Sequence, residues 1–95
     1  MSVYVDKSAN LYRSARGRRM VMCHMIADTP DELHAMAIAV GLKRRWFQAS
    51  PPASFPHYDV CRSKRALVVS AGAIDCDRNE FVAAVHRIRA SKAFH

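Results

Sequence analysis

The stretch MVMCHMIADTPDEL, residues 20–33, decides the fold, because an apolar run of strand length passes straight into a helix start. Residues 20–26 are apolar on both alternating faces apart from His24, which predicts a strand buried on two sides rather than one. Thr29 then offers an N-cap hydroxyl, Pro30 a first helical position that needs no N–H, and Glu32 the carboxylate of a capping box. The helix is expected to run to about Val40, with Leu33, Met36, Ala37 and Val40 as its apolar stripe and Gly41 as the residue that ends it. A doubly covered strand handing over to an amphipathic helix belongs to a layered α/β architecture.

Upstream, Val3, Tyr4 and Val5 read as a short buried strand that stops at Asp6, and residues 7–19 read as a basic loop. Downstream, LKRRWFQ at 42–48 reads as a strand, and ASPPASFP at 49–56 as a proline-rich loop whose prolines remove backbone donors. A second helix is expected from Ser63 to about Ala71, ended by Gly72, with a short strand at 73–76 after it. Asp77 and Glu80 repeat the capping-box spacing ahead of a last helix to about Ser91, with Phe81, Val82, Val85 and Ile88 as its apolar stripe. The order β-β-α-β-α-β-α gives about four short strands and about three helices. Two helices end on glycine and pass directly into a strand, the handover of a helix packed on a sheet, so the sheet is expected to be mostly parallel.

At 95 residues, with 51% hydrophobic and 24% charged side chains, the chain suits one α/β domain over residues 1–95. Fifteen Lys and Arg against eight Asp and Glu leave a formal charge of +7, which draws polyanions and points to nucleic acid or a nucleotide as partner. Cys23, Cys61 and Cys76 are widely spaced, with no CxxC pair, and are expected to be reduced thiols in a cytoplasmic protein. The apolar run at 20–27 is far too short to span a bilayer, and no secretory signal opens the chain, so no membrane partner is expected. No motif names a resident cofactor, and nothing fixes the oligomeric state.

VYVD, MVMCHMIAD, DELHAMAIAVGLKRRWFQ, HYDV and SKRALVVSAGAI, taken in that order, resemble a family of small bacterial and phage proteins catalogued as a domain of unknown function, number 4031. The resemblance covers roughly residues 3–82. It implies fold membership and carries no activity to inherit.

The polar residues at the margins of the apolar elements are Asp6, His24, Asp28, His57 and Asp59. On strands, positions 24 and 28 share a face, as do 57 and 59. In an open parallel sheet, Asp6 and Asp28 would both lie at carboxyl ends, where ligands gather. His24, Asp28, His57 and Asp59 are therefore the candidate catalytic residues; two histidines with carboxylates can hold a divalent cation, and His57 can act as a general acid or base. The plainer reading makes Asp28 a neighbour of the Thr29 cap, Asp6 a turn former and His24 a satisfied buried histidine. His34 reads as packing beside its helix stripe, and Cys61 is the one thiol in a cationic setting.

Basic clusters lie at 13–19, 43–45 and 62–65. Arg16, Arg18, Arg19, Arg62, Ser63, Lys64 and Arg65 are the candidate phosphate-binding residues, the last four because cations at a helix start, costly by themselves, suit an anion held on free N–H groups. Tyr12, Trp46, Phe47 and Tyr58 lie near these clusters and can stack on bases, although Trp46 and Phe47 would point to opposite faces of a strand.

Three functions remain open. The first is a small basic module for nucleic acid or a phosphate-bearing ligand. The second is a metal-assisted phosphodiesterase or nucleotide hydrolase built on the His/Asp cluster, and the third an accessory protein that binds a host protein. Whether His24 faces His57 and Asp59 is the geometric question that separates the second from the rest.

Overall fold

The computed structural model describes residues 2–13 and 15–94; Ser14, inside the basic run, lies outside the described residues. Its elements are β1 (Val3–Val5), β2 (Asn10–Arg13), β3 (Arg19–Ala27), α1 (Pro30–Ala39), a 3₁₀ turn at Arg44–Trp46, β4 (Tyr58–Cys61), α2 (Arg62–Ser70), β5 (Ile74–Asp75) and α3 (Arg78–Ala90). They make an α/β fold around a mixed five-stranded sheet.

β3 is the centre of the sheet, and it runs against every neighbour. It pairs antiparallel with β1, β2 and β4, while the outer β5 pairs parallel with β1. Met25 is opposite both Val5 and Tyr58, and Met22 is opposite both Asn10 and Cys61, so β1 and β2 share one edge of β3 and β4 holds the other. The expectation of a mostly parallel sheet of four strands is corrected on both counts. β1, β2, β4 and β5 do all point one way, but the strand that opposes them is the central one, so most ladders are antiparallel.

The basic segment 7–19 contains a strand that its polarity hides. β2 is exposed along its whole length, paired to β3 from Asn10 opposite Met22 to Arg13 opposite Arg19, and Gly17 at φ 78° turns the chain back. The strand expected at 42–48 is absent: Arg44–Trp46 is a 3₁₀ turn, with Phe47 half-buried against the core and Trp46 exposed. Only Gln48 reaches the sheet, through a single bridge to His57. The strand that follows α1 is β4, which the HYDV segment supplies.

Side-chain alternation along β3 divides the core. Cys23, Met25 and Ala27 face α1 and α2, where Leu33, Ala37, Val40 and Val68 join Val3, Val5, Tyr58 and Val60. Ile26 faces the other way, against Phe81, Ala84, Val85 and Ile88 of α3 and Cys76. Each large apolar side chain so buried contributes about 1.5–3 kcal/mol.

The helix starts follow their local signals. Thr29 caps α1, its hydroxyl accepting the Glu32 N–H at 3.3 Å and donating to the Glu32 carboxylate at 2.9 Å. α3 has the full capping box, with Glu80 N–H to Asp77 at 2.8 Å and Asp77 N–H to Glu80 at 2.9 Å. α2 starts one residue before its expected Ser63 and has Cys61 at its N-cap with no side-chain cap bond. Among the described residues, no helix is long and apolar enough to cross a membrane.

Candidate functional site

β3 and β4 build the site by register alone. His24 stands directly opposite Asp59, and alternation along the chain entering β4 puts His57 on the same side of the sheet as Asp59. One ligand atom from each of His24, His57 and Asp59 lies within 4.8 Å of the others, and the two imidazoles meet edge to face at 5.2 Å. α3 covers this sheet face over Ile26 and Cys76 and leaves the next residue of the row, His24, half-buried at the edge of the covered area.

Each of the three groups is held from behind. His24 Nδ1 lies 2.8 Å from Asp6 Oδ2, and the His24 backbone N–H donates to Asp6 Oδ1 at 2.8 Å. Ser8 Oγ donates to the same carboxylate at 2.9–3.0 Å. His57 Nδ1 donates to the Phe55 carbonyl at 2.8 Å, which fixes the proton on that nitrogen because a carbonyl only accepts. Gln48 Nε2 donates to Asp59 Oδ2 at 2.7 Å. Both imidazoles thus spend Nδ1 on the protein, which leaves Nε2 as the second ring nitrogen, the arrangement in which an outer group sets tautomer and ring orientation.

His57 Nε2 lies 3.4 Å from Asp59 Oδ1. With Nδ1 already protonated, Nε2 would present a lone pair to a carboxylate oxygen, a contact that is favourable only with a proton or a cation between them. The neighbouring His57 ring foremost, helped by the Gln48 hydrogen bond and opposed by burial, holds Asp59 below the usual carboxylate range. Burial would raise Asp6, but hydrogen bonds from the His24 side chain and backbone outweigh it and leave Asp6 lowered as well. His24 is raised, chiefly by its bond to Asp6 against the cost of burial.

Asp28 stands apart from this cluster. It accepts the Ser2 N–H at 2.8 Å and the Tyr4 hydroxyl at 3.1 Å, with Arg87 3.8 Å away. The antiparallel pairing of β1 with β3 is the reason, since Val3 opposite Ala27 sends Asp28 to one end of β1 and Asp6 to the other, beside His24. His34 faces the opposite side of the sheet, where its Nδ1 lies 2.8 Å from the Tyr58 hydroxyl.

The cluster at 62–65 is divided by its contacts. Lys64 Nζ donates to the carbonyl of Val40, the C-cap of α1, at 2.6 Å, and Arg65 donates to the Asp6 carbonyl at 2.8 Å and pairs with Asp75. Those two side chains brace the fold, Arg65 directly behind Asp6. Arg62 and Ser63 stay exposed, and so do Arg16, Arg18 and Arg19 on the β2–β3 hairpin. Burial opposes ionisation of Cys61, but hydrogen bonds from Ser63 and the first N–H groups of α2 leave its thiol lowered, while burial pushes Cys23 and Cys76 up.

Ser8, Gln48 and the Phe55 carbonyl are the functional groups that the sequence did not reveal. They act through distance in space, and no spacing or motif marks them. No curated protein and no solved structure matches the chain. A family model matches residues 3–88, and by that match the chain belongs to the family described as protein of unknown function DUF4031.

Proposed function

We propose that this protein binds one divalent cation through His24, His57 and Asp59 and uses it to hydrolyse phosphate esters. The observation that carries the reading is the approach of three ligand atoms to within 4.8 Å of one another on residues whose second polar atoms are already engaged. Two imidazole nitrogens and one carboxylate oxygen suit zinc, manganese or ferrous ions and leave positions for water and a substrate oxygen. Bonds of about 2 Å to a shared ion bring such atoms to about 3.3 Å apart, so the three atoms would draw closer around a bound ion. Bound there, the cation would polarise a phosphoryl oxygen and supply hydroxide near neutral pH. Lys7, Arg78 and Arg89 line the cleft beside His24, and this positive rim favours a phosphate ester over an uncharged substrate.

Calorimetric titration of metal-stripped protein with zinc and manganese is expected to give one site per chain. Asp59→Asn, at a side chain 35% exposed and so tolerant of change, is expected to weaken that site about a hundredfold and to abolish metal-dependent turnover of bis(p-nitrophenyl) phosphate. No heat with either ion, or a variant that binds as well as the wild type, removes the reading.

A second observation favours nucleic acid as the source of the phosphate. The β2–β3 hairpin sets Arg13 directly opposite Arg19, a like-charge pair that costs stability unless an anion sits over it, with Arg16 and Arg18 exposed between them. Alternation puts Arg13 and Arg19 on the sheet face opposite His24, while Tyr12 and Met20 share the face of His24, so a strand that leads toward the His/Asp cluster runs over Tyr12 and meets the hairpin arginines at its margin.

A further inference from the structure

A cleft of about 530 Å³ opens beside His24, between one face of α3 and the segment from Asp6 to Ser8. Its volume is that of a small-molecule site, not of a notch for a single phosphate. The α3 residues that line it recur at three- and four-residue spacing, so they form one continuous stripe. The middle of that stripe is apolar apart from His86. Phe81, Val82 and Val85 face the cleft, and Phe55 meets Phe81 across it with ring centroids 6.1 Å apart.

Val82, expected in the apolar stripe of α3, is instead 43% exposed, and Phe81, Ala84, Val85 and Ile88 seat the helix on the sheet. The stripe is therefore wider than the surface it covers, and the excess forms a wall of the cleft. Its two ends are cationic: Arg78 in the first turn and Arg89 in the last, about 16 Å apart along the helix. His24 approaches Phe55 and Phe81 at 5.6 and 6.3 Å, so the His/Asp cluster adjoins the apolar middle of the cleft.

A wall that is apolar apart from His86, between two cations and beside a candidate phosphate-cleaving centre, fits one ligand chemistry. We infer that the cleft takes a nucleotide unit, its base laid on the wall formed by Phe55 and Val82 and its phosphate turned toward His24. The inference rests on the hydrolase reading for what happens to that phosphate, but the binding itself requires no metal. A sugar phosphate offers the cations an anion and the wall nothing, and that difference is measurable. The same unit can arrive as a free nucleotide or within a single strand.

The test is fluorescence or NMR titration of the full chain in chelator at low salt, with adenosine 5′-monophosphate, ribose 5-phosphate and a single-stranded oligodeoxyadenylate of ten nucleotides as probes. Adenosine monophosphate is expected to bind about tenfold tighter than ribose 5-phosphate, within the range that one stacked base supplies. Val82→Lys removes the wall while adding positive charge; it is expected to keep ribose 5-phosphate binding and to reduce the preference for the nucleotide to about twofold or less, with zinc affinity unchanged. Phe55→Ser is the second variant and is expected to lose the same preference. Equal binding of the two small ligands by the wild type, or a preference that survives both substitutions, overturns the inference. An oligonucleotide bound tenfold tighter than the monophosphate identifies the unit as part of a strand, and parity identifies a free nucleotide; either supports it. Loss of zinc binding in Asp59→Asn with nucleotide preference intact separates the fate of the cleft from that of the metal centre.

Discussion

His57 shows how one hydrogen bond fixes a tautomer. Its Nδ1 is committed to the Phe55 carbonyl and Nε2 lies 3.4 Å from Asp59, the orientation that the proposed metal site requires. Asp6 does the same for His24 through a carboxylate, and Asp6→Asn tests it. The asparagine carbonyl can still accept the His24 backbone N–H, but an amide N–H facing Nδ1 makes that nitrogen an acceptor and moves the ring proton to Nε2, the atom a cation needs. Zinc affinity is expected to fall about 10- to 100-fold with little loss of fold, read by calorimetry and circular dichroism. His34 gives a pH prediction away from the cluster. Burial first, then the charge of Arg44, hold its pKa below the ordinary histidine value of 6.5, so the unfolded chain takes up the proton before the folded one does. Its contribution to stability is complete above pH 6.5 and declines as the pH falls from there toward the lower folded value. Urea midpoints at pH 7.5 and 5.5 are expected to differ less in His34→Gln than in the wild type. His24, His57 and Asp59 were visible in the sequence as polar residues of matching parity; Gln48 and Ser8 were not, because a hydrogen bond across a fold leaves no periodic trace.

Local chemistry sets the ends of the helices. Thr29, Asp77, Gly41 and Gly72 act within a few residues of themselves, and each boundary they imply at 29–30, 40–41, 71–72 and 77–78 is where the chain turns. Asp77→Ala removes one half of a reciprocal cap and is expected to cost about 1 kcal/mol, measured as a lower urea midpoint at unchanged slope. Gly41 has a second role. At φ 83° a side chain is strained, and a Cβ would stand 3.0 Å from the Lys64 ammonium that binds the Val40 carbonyl. Gly41→Ala is therefore expected to cost at least about 1 kcal/mol by the same measurement. Segments 10–13 and 42–48 depart from their local sequence signals for a shared reason. Strand formation there depends on whether a partner edge lies alongside: β3 offers one to the polar β2, whereas only Gln48 of LKRRWFQ comes beside another strand.

Across the whole molecule, a charge of +7 is gathered in part on the hairpin at one end of β3, while the His/Asp cluster lies farther along the same strand. If nucleic acid lies along that path, the logarithm of the binding constant falls linearly with the logarithm of salt, and Arg16→Ala with Arg19→Ala makes the slope shallower by about 1.5 to 2. A gel shift or anisotropy series from low to physiological salt reads this; a slope unchanged in the double variant places the contact elsewhere, and a partner retained at high salt is instead a protein. By itself the sequence determined the α/β class, the caps and stops of the helices, the central strand at 20–26 and the parity of its polar positions, since all of these depend on neighbours within a turn or a pleat. Tertiary structure alone decided that β3 opposes its neighbours. That choice is a matter of which edges meet, and it carried Asp28 away to Tyr4 and the chain start while bringing Asp6 behind His24 and Asp59 in front of it.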